Sequence, residues 1–312
     1  MGFEPSYLRL HSQGLLKDRA AKALALLESC RLCPRACGAN RLKGELGFCE
    51  TGRKAAVASA SAHFGEETPL VGRSGSGTIF ISSCNLLCSF CQNHEISHGK
   101  EGVEVEPEHM GALMLELSRA GCHNINFVTP THVVPQILEA LPYAIERGLS
   151  VPLVYNSGGY DRVETLEILN GVFDLYMPDF KFWDNRWAER YCQAPDYREV
   201  AMAALREMHR QVGDLVLDER GIAQRGLLVR HLVMPNRVAG TEEIMTFLAK
   251  EISPNTYVNV MDQYRPCGSG SRDEFIGRRL DSKEYREAVK AALGAGMERL
   301  DERDRIRLIF RP

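Results

Sequence analysis

The stretch "TIFISSCNLLCSFC", residues 78–91, joins a short hydrophobic run to three closely spaced cysteines, Cys84, Cys88 and Cys91. The run is β-branched and aromatic and follows glycines, which favours a strand. The cysteines would then lie in a loop that leaves the end of this strand. Three thiols are too few to close a zinc or iron–sulfur site, because both usually take four protein ligands. The spacing therefore predicts a metal centre with one coordination position left open.

Strand and helix patterns alternate along the chain after residue 74. Strands separated by helices indicate βαβ units and a parallel sheet, and right-handed crossovers would curl six such units into a (β/α)6 partial barrel. In barrel enzymes the carboxyl ends of the strands carry the chemistry. The predicted strands are 78–82, 125–129, 152–157, 174–180, 227–234 and 256–264, and the predicted helices are 107–120, 133–147, 161–170, 184–212 and 241–252.

Composition indicates a globular enzyme of one large barrel or two domains. The chain has 312 residues, of which 44% are hydrophobic, and a formal net charge of −3. A small negative charge argues against a nucleic-acid partner. There is no apolar run long enough for a membrane span, and no apolar signal region at the start. Ten cysteines without a secretion signal favour a reducing cytoplasm and metal ligation over disulfides.

A second group of cysteines lies near the amino terminus. Cys30, Cys33, Cys37 and Cys49 follow the pattern C-x2-C-x3-C-x11-C among Gly, Pro and Arg. Such a segment has little core, so a bound metal would supply its folding energy. Structural zinc and a second iron–sulfur cluster both suit four thiols, and two disulfides are the less favoured alternative. The predicted organisation is a helix and four-cysteine segment at 1–56, a linker at 57–77 and a barrel at 78–312.

The pattern Cys84-x3-Cys88-x-Phe90-Cys91 resembles the signature of radical SAM (S-adenosylmethionine) enzymes. The resemblance implies a [4Fe–4S] cluster on the three thiolates, with the amino and carboxylate groups of SAM bound to the fourth iron. It also implies reductive cleavage of SAM to a 5′-deoxyadenosyl radical that abstracts hydrogen. Phe90 would lie near the adenine. In such enzymes the cofactors perform the chemistry, while the protein orients them.

Over nearly its full length the chain resembles the pyruvate formate-lyase activating enzyme group, in a branch with an N-terminal four-cysteine segment. The motifs that carry this likeness are "CRLCPRACGANRLKGELGFC", "INFVTPTH", "VYNSGGYD", "MPDFKFWD" and "MDQYRP". The resemblance implies that Lys181 and Arg230 pair with the carboxylate of SAM and that Asp179 lies at a nearby cation site. Charge-assisted donors suit a carboxylate in a dry cleft.

Two motifs depart from the activating enzymes. A Gly-Gly-Glu motif that binds the SAM amine is replaced by Val128–Thr131, where Thr129 or backbone carbonyls could accept instead. The aspartate that follows the third strand in the activating enzymes is also missing. Asn156 and Ser157 stand there and are expected to reach the ribose hydroxyls.

The expected function is hydrogen abstraction from a protein or peptide, with a glycyl-radical enzyme as one candidate substrate. Such an oxidoreductase of the activating-enzyme type would need a reductant such as flavodoxin or ferredoxin. One alternative is a radical SAM enzyme that modifies a small molecule. The other is a non-catalytic iron–sulfur or zinc protein that transfers electrons.

Overall fold

Ten strands form one mixed sheet in the computed structural model, which describes residues 3–301. They are β1 (Ala55–His63), β2 (Ser76–Ile81), β3 (Val103–Val105), β4 (Ile125–Val128), β5 (Leu153–Ser157), β6 (Leu175–Pro178), β7 (Val216–Leu217), β8 (Ala223–Leu232), β9 (Tyr257–Met261) and β10 (Arg299–Leu300). The order across the sheet is β10-β9-β8-β6-β5-β4-β2-β1-β3, and β7 pairs with β8 outside this path.

The strands β2, β4, β5, β6, β8 and β9 are parallel to their neighbours in that series, and they correspond to the six predicted strands. The predicted partial barrel is therefore confirmed. The sheet does not close, because its path ends at β10 on one side and at the antiparallel strands β1 and β3 on the other.

Most of the helices cover the outer face of the sheet and form the main hydrophobic core with it. The helices are α1 (Ser6–Ser12), α2 (Leu15–Ala25), α3 (Thr68–Val71), α4 (His94–Ser97), α5 (Pro107–Arg119), α6 (Val134–Ile145), α7 (Val163–Leu169), α8 (Asn185–Cys192), α9 (Tyr197–Val212), α10 (Thr241–Phe247) and α11 (Ser282–Gly294). Within residues 3–301, none of these helices is long and apolar enough to cross a membrane.

The predicted helix 184–212 is two helices, α8 and α9. Gln193 has a φ of 52°, in the left-handed region that ends a helix. Pro195 follows two residues later and disfavours helical backbone in the residue before it. The break directs the end of α8 toward the three-cysteine loop, where Ser89 N donates to Tyr191 O at 2.8 Å.

The short helix α3 lies inside the curved sheet. Leu70 packs with Val154 and Leu175, which face away from the helix-covered side. The next residues on those strands, Tyr155 and Tyr176, belong to the helix-side core, as alternation along a strand requires. Asn124 Nδ2 donates to Leu70 O at 2.9 Å and fixes the helix in place. The lower half of the barrel is thus filled by its own chain.

The linker predicted at 57–77 is instead structured. Most of β1 lies in it, paired with β2 on one side and with β3 on the other, and α3 follows. The sequence AAVASASAH of β1 contains Ala and Ser, which have low strand preference, so its pairing comes from tertiary contacts. The start of the chain is attached as well: Ser6 N donates to Asp174 Oδ1 at 2.9 Å. The predicted bounds of the N-terminal segment, 1–56, and of the barrel, 78–312, stay a prediction.

Candidate active site

A cleft opens at the carboxyl ends of the parallel strands. It contains about 730 Å³ of empty space, its open mouth included. Strand ends that are distant in sequence meet here because parallel strands finish at one edge of the sheet. The walls include nine of the ten barrel residues predicted for the site, namely Cys84, Cys88, Cys91, Thr129, Asn156, Ser157, Asp179, Lys181 and Arg230.

The three-cysteine loop, residues 84–91, follows β2 through left-handed backbone conformations. Ser83 and Leu87 have φ angles of 72° and 51°, which cost non-glycine residues about 1–2 kcal/mol each. Cys91 N donates to Cys88 O at 3.1 Å and closes a turn. Backbone strain of this kind is typical of functional sites, where the surrounding structure enforces it.

Each thiol of this loop has a hydrogen-bond donor beside it. The pairs are Leu86 N to Cys84 Sγ at 3.3 Å, Ser97 Oγ to Cys91 Sγ at 3.2 Å, and Cys192 Sγ to Cys88 Sγ at 3.3 Å. The donors Leu86 N and Ser97 Oγ favour the charged forms of Cys84 and Cys91, whereas the hydrogen bond with Cys192 disfavours the charged form of Cys88. Cys192, a buried residue at the end of α8, therefore touches a predicted ligand. No sequence pattern indicates that contact, because it joins the loop after β2 to a helix about 100 residues further along the chain.

Burial keeps the three thiols protonated until a metal binds. It raises the pKa of Cys84 to about 12 and also raises the pKa of Cys91. For Cys88, the hydrogen bond with Cys192 and then burial raise the pKa well above its usual range. Metal binding would displace these protons, so metal affinity at this loop should rise with pH.

The thiols do not converge on one point. Among residues 3–301, no group of three or more His, Cys, Asp or Glu side chains is gathered closely enough to hold a single metal ion. Ligands of one zinc ion all lie within about 2.3 Å of it. In an iron–sulfur cluster the thiolates bind different irons, so they do not have to meet at one point.

Asp179 lies between two cations in the cleft. Its carboxylate accepts from Lys181 Nζ at 2.5 Å and from Arg230 Nε at 2.8 Å. Burial opposes the charged forms of all three groups, but their mutual attraction outweighs it. The pKa of Asp179 is therefore lowered, whereas the pKa values of Lys181 and Arg230 are raised. All three stay charged at neutral pH, and the trio carries one net positive charge into the cleft.

Asn156 and Ser157 line the cleft but already have protein partners. Asn156 Oδ1 accepts from Arg230 Nη2 at 2.8 Å, which holds the guanidinium flat against the end of β5. Ser157 Oγ donates to Asp161 Oδ2 at 2.5 Å. The Asn156 amide nitrogen is therefore the group that could donate to a ribose hydroxyl. Any other contact would require one of these two hydrogen bonds to break. Their predicted role at the ribose stays a prediction.

Thr129 also lines the cleft, in a left-handed conformation with φ 62°. Its N–H donates to Asn156 O at 2.8 Å. Across the cleft, Gly159 has a φ of 76°, and a Cβ there would lie 2.1 Å from Asp179 O. Only glycine fits that position, which explains the second glycine of the Gly-Gly pair after β5.

Phe90 is the predicted residue that does not line the cleft. Its ring lies behind the three-cysteine loop, edge-on to Phe182 with centroids 5.8 Å apart, and it also packs near Tyr191 and Tyr264. In this arrangement the ring supports the three-cysteine loop, and its predicted contact with adenine stays a prediction.

Glu66 is a charged neighbour of the cleft that the sequence analysis missed. Its Oε2 lies 3.8 Å from Arg230 Nη1. Burial raises the pKa of Glu66 to about 7, although Arg230 opposes the shift. No sequence signal could have found it, because it lies in the segment predicted as a linker.

The four N-terminal cysteines are neighbours in space. The pKa of Cys33 is raised to about 12 by burial, and the nearby Cys49, Cys30 and Cys37 thiols contribute to the shift. Arg41, which is 1% exposed, lies beside this group and donates to Gly52 O and to His132 O, the latter at 2.8 Å. This four-cysteine segment, residues 30–49, is thereby attached to the barrel outside the cleft.

Comparisons with known proteins agree with this arrangement. The model of the radical SAM superfamily matches residues 78–219, which hold the three-cysteine loop and the Asp179–Lys181 pair. The chain belongs to this superfamily. Membership implies a [4Fe–4S] cluster and SAM as its cofactors.

Among related chains, the uncharacterized protein MJ0674 of Methanocaldococcus jannaschii is 33% identical over 300 residues, which cover 93% of this chain and 82% of that one. The FeFe-hydrogenase maturase HydG of Carboxydothermus hydrogenoformans is similar in fold, with a TM-score of 0.50, 13% identity and coverage of 74% of this chain and 55% of that one. A domain of the pyruvate-formate lyase-activating enzyme of Bacteroides vulgatus matches with a TM-score of 0.36 and 13% identity over 62% of this chain and 89% of that one, which supports no inference.

The residues of the cleft fit these cofactors. Three thiols without a fourth protein ligand suit a cluster with one open iron. Lys181 and Arg230 line the same cleft, and two charge-assisted donors suit a carboxylate.

Proposed function

We propose that this protein is a radical SAM enzyme that abstracts hydrogen from a protein or peptide substrate. The observation that supports it is the meeting, in one cleft, of the three thiols with the Lys181–Asp179–Arg230 trio. The bound cofactors supply the one-electron cleavage of SAM and the radical that removes hydrogen. The protein binds, orients and shields them.

The protein groups have separable roles in this proposal. The three thiolates hold the cluster, and their hydrogen-bond donors fix its orientation. Lys181 and Arg230 hold the carboxylate of SAM. Asp179 and Asn156 hold the two cations in position before SAM arrives, so that little side-chain freedom is lost on binding.

The open edge of the sheet supports a large substrate. The cleft lies beside a barrel that does not close, so a chain can enter from the side as well as from above. A fully closed pocket would favour a small metabolite instead. A flavodoxin or ferredoxin is the proposed electron donor.

Deuterium transfer tests the substrate class. An extract of the source organism grown in D2O is divided by size into macromolecular and small-molecule fractions. Each fraction is given to the anaerobically reconstituted enzyme with SAM and dithionite, and the 5′-deoxyadenosine is analysed by mass spectrometry. Deuterium from the macromolecular fraction alone supports the proposal. Deuterium from the small-molecule fraction alone would replace it with metabolite chemistry, and absence of 5′-deoxyadenosine would refute SAM cleavage.

A further inference from the structure

The four-cysteine segment folds back on itself, which brings its cysteines near one another. Gly38 N donates to Cys30 O at 3.1 Å, and Cys37 Sγ lies against Gly47, two residues before Cys49. Four thiols suit either zinc or an iron–sulfur cluster. Zinc has no redox chemistry, whereas an iron–sulfur cluster carries electrons. The contacts of this segment with the three-cysteine loop favour the cluster.

A single arginine connects this segment to the cluster loop of the barrel. Arg35 stands between Cys33 and Cys37 in sequence. Its Nε donates to Asn85 O at 2.9 Å, and its Nη2 donates to Cys192 O at 2.8 Å. Asn85 follows the first thiol of the three-cysteine loop.

The orientation of Arg35 is fixed from several sides. Its guanidinium lies over the ring of Phe48 at 3.9 Å and over the ring of Tyr160 at 5.1 Å. It also donates to Gln193 O. Phe48 precedes the fourth N-terminal cysteine, so the arginine is held by its own segment at one end and by the barrel at the other. A planar, multidentate guanidinium suits such a fixed junction better than a lysine.

The contact continues to a cluster ligand. Cys192, whose carbonyl accepts from Arg35, places its Sγ 3.3 Å from Cys88 Sγ. The structure therefore provides a continuous series of contacts from the N-terminal cysteines, through Arg35 and Cys192, to a thiol of the cleft. None of these contacts involves the mouth of the cleft.

We propose that Cys30, Cys33, Cys37 and Cys49 hold a second [4Fe–4S] cluster, which passes electrons to the cleft cluster along this series of contacts. A low-potential one-electron reductant of the flavodoxin or ferredoxin class reduces the N-terminal cluster by one electron. That electron then moves to the cleft cluster, which returns the N-terminal cluster to its oxidised state. No proton or covalent bond changes in either step. The inference rests on the proposed function for the fate of the electron, but not for the presence of the cluster.

Metal analysis of a cleft variant tests the second cluster. Replacing Cys84, Cys88 and Cys91 with alanine leaves the four-cysteine segment intact. The reconstituted wild-type protein should contain about eight irons per chain and the variant about four, with matching sulfide. Cys37→Ser in the variant background should then lower the remaining iron, and Cys37 is exposed, so this change should not unfold the chain. Zinc in the variant, or neither metal, would overturn the proposal.

The relay is tested by the rate of reduction. In Arg35→Ala, rapid-freeze EPR should show a cleft cluster, identified by its response to SAM, that is reduced several-fold more slowly by limiting dithionite. Arg31→Ala, an exposed arginine of the same segment, is the matched control and should keep the wild-type rate.

Arg35→Lys, which keeps the charge but can serve fewer carbonyls, covers the case in which the alanine variant loses a cluster. A wild-type reduction rate in an Arg35 variant that retains both clusters would refute the relay. Because neither metal content nor the reduction rate requires turnover, failure of SAM cleavage would not be mistaken for failure of this inference.

Discussion

The three-cysteine loop and the four-cysteine segment place the same kind of side chain by different means. The loop follows the buried strand β2, so the sheet and the packed rings of Phe90 and Phe182 determine where its thiols lie. The four-cysteine segment contains little regular structure, and charged side chains attach it to backbone carbonyls of the barrel. Position in the first case follows from hydrophobic packing, and in the second from a few charge-assisted hydrogen bonds.

This difference predicts which changes each region tolerates. A loop held by packing should keep its shape when a ligand is lost, since the core beneath it remains. A segment held by arginines should depend on each of them, because every lost donor leaves buried carbonyls unpaired.

Replacing Cys84, Cys88 and Cys91 with alanine should abolish the SAM-responsive EPR signal of the reduced protein. The fold should persist, because the strand and the aromatic residues that support the loop are unchanged. Circular dichroism and anaerobic EPR measure the two outcomes. Cys122→Ala, at a buried cysteine far along the chain, is the control and should retain the signal. A surviving signal in the triple variant would assign the SAM cluster elsewhere.

Lys181→Ala and Arg230→Ala should each weaken SAM binding by about 2–4 kcal/mol, or roughly 30- to 1,000-fold in Kd. Each change removes one of the two cations from a buried site, and their effects should not add, because both groups share Asp179. Anaerobic calorimetry on cluster-loaded protein measures the affinity.

Arg225→Ala is the matched control for the arginine, since Arg225 lies on the same strand but donates to Gln211 O. The Kd of the Arg225→Ala variant for SAM should stay at the wild-type value. Unchanged affinity in both the Lys181 and the Arg230 variants would show that SAM binds in another pose.

Arg41→Met should destabilise the protein by about 2–4 kcal/mol, because the carbonyls of Gly52 and His132 lose their buried donors. Urea unfolding measures the change. Arg31→Met, at an exposed position in the same segment, should alter the free energy of unfolding by less than about 0.5 kcal/mol. Equal effects of the two substitutions would contradict the view that buried arginines attach the segment.

Asp174→Asn should change the pH dependence of stability. Burial raises the pKa of Asp174 from 3.8 to about 6 in the folded chain, although Ser6 N–H opposes the shift. The folded state thus favours the protonated acid, so this contribution is present below pH 4 and is lost as the pH rises to about 6. Its size is about 3 kcal/mol. Thermal unfolding from pH 4 to 7 should show a shallower decline in Asp174→Asn, and an unaltered slope would exclude Asp174 as the cause.

Local sequence patterns predicted the central strands well. Each of β2, β4, β5, β6, β8 and β9 is a hydrophobic run with its own turn signals, and the parallel order follows from the helices between them. The strand β1 could not be predicted in this way, because its Ala- and Ser-rich sequence pairs with β2 and β3 through tertiary contacts.

The candidate site likewise contains some residues that the sequence predicted and others that it did not. Asp179 and Arg230 were predicted from the resemblance to the activating enzymes, and the parallel topology brings them to one cleft because it gathers the strand ends. The contact of Cys192 and the position of Glu66 were not predicted. Cys192 is placed by the break before α9, and Glu66 is placed by the chain segment that precedes α3. Phe90 is in the expected motif, but its rotamer is set by the aromatic residues behind the loop.

The helix α3 occupies space inside the curved sheet on the side away from the cleft. Because Leu70 and its neighbours pack there, access to the cleft is from the carboxyl ends of the strands or from the open edge of the sheet. Cofactor and substrate would therefore enter on the same side of the molecule. If a macromolecular substrate of the proposed kind binds first, it should block the entry of SAM, so turnover should follow a compulsory order and show inhibition at high substrate concentration.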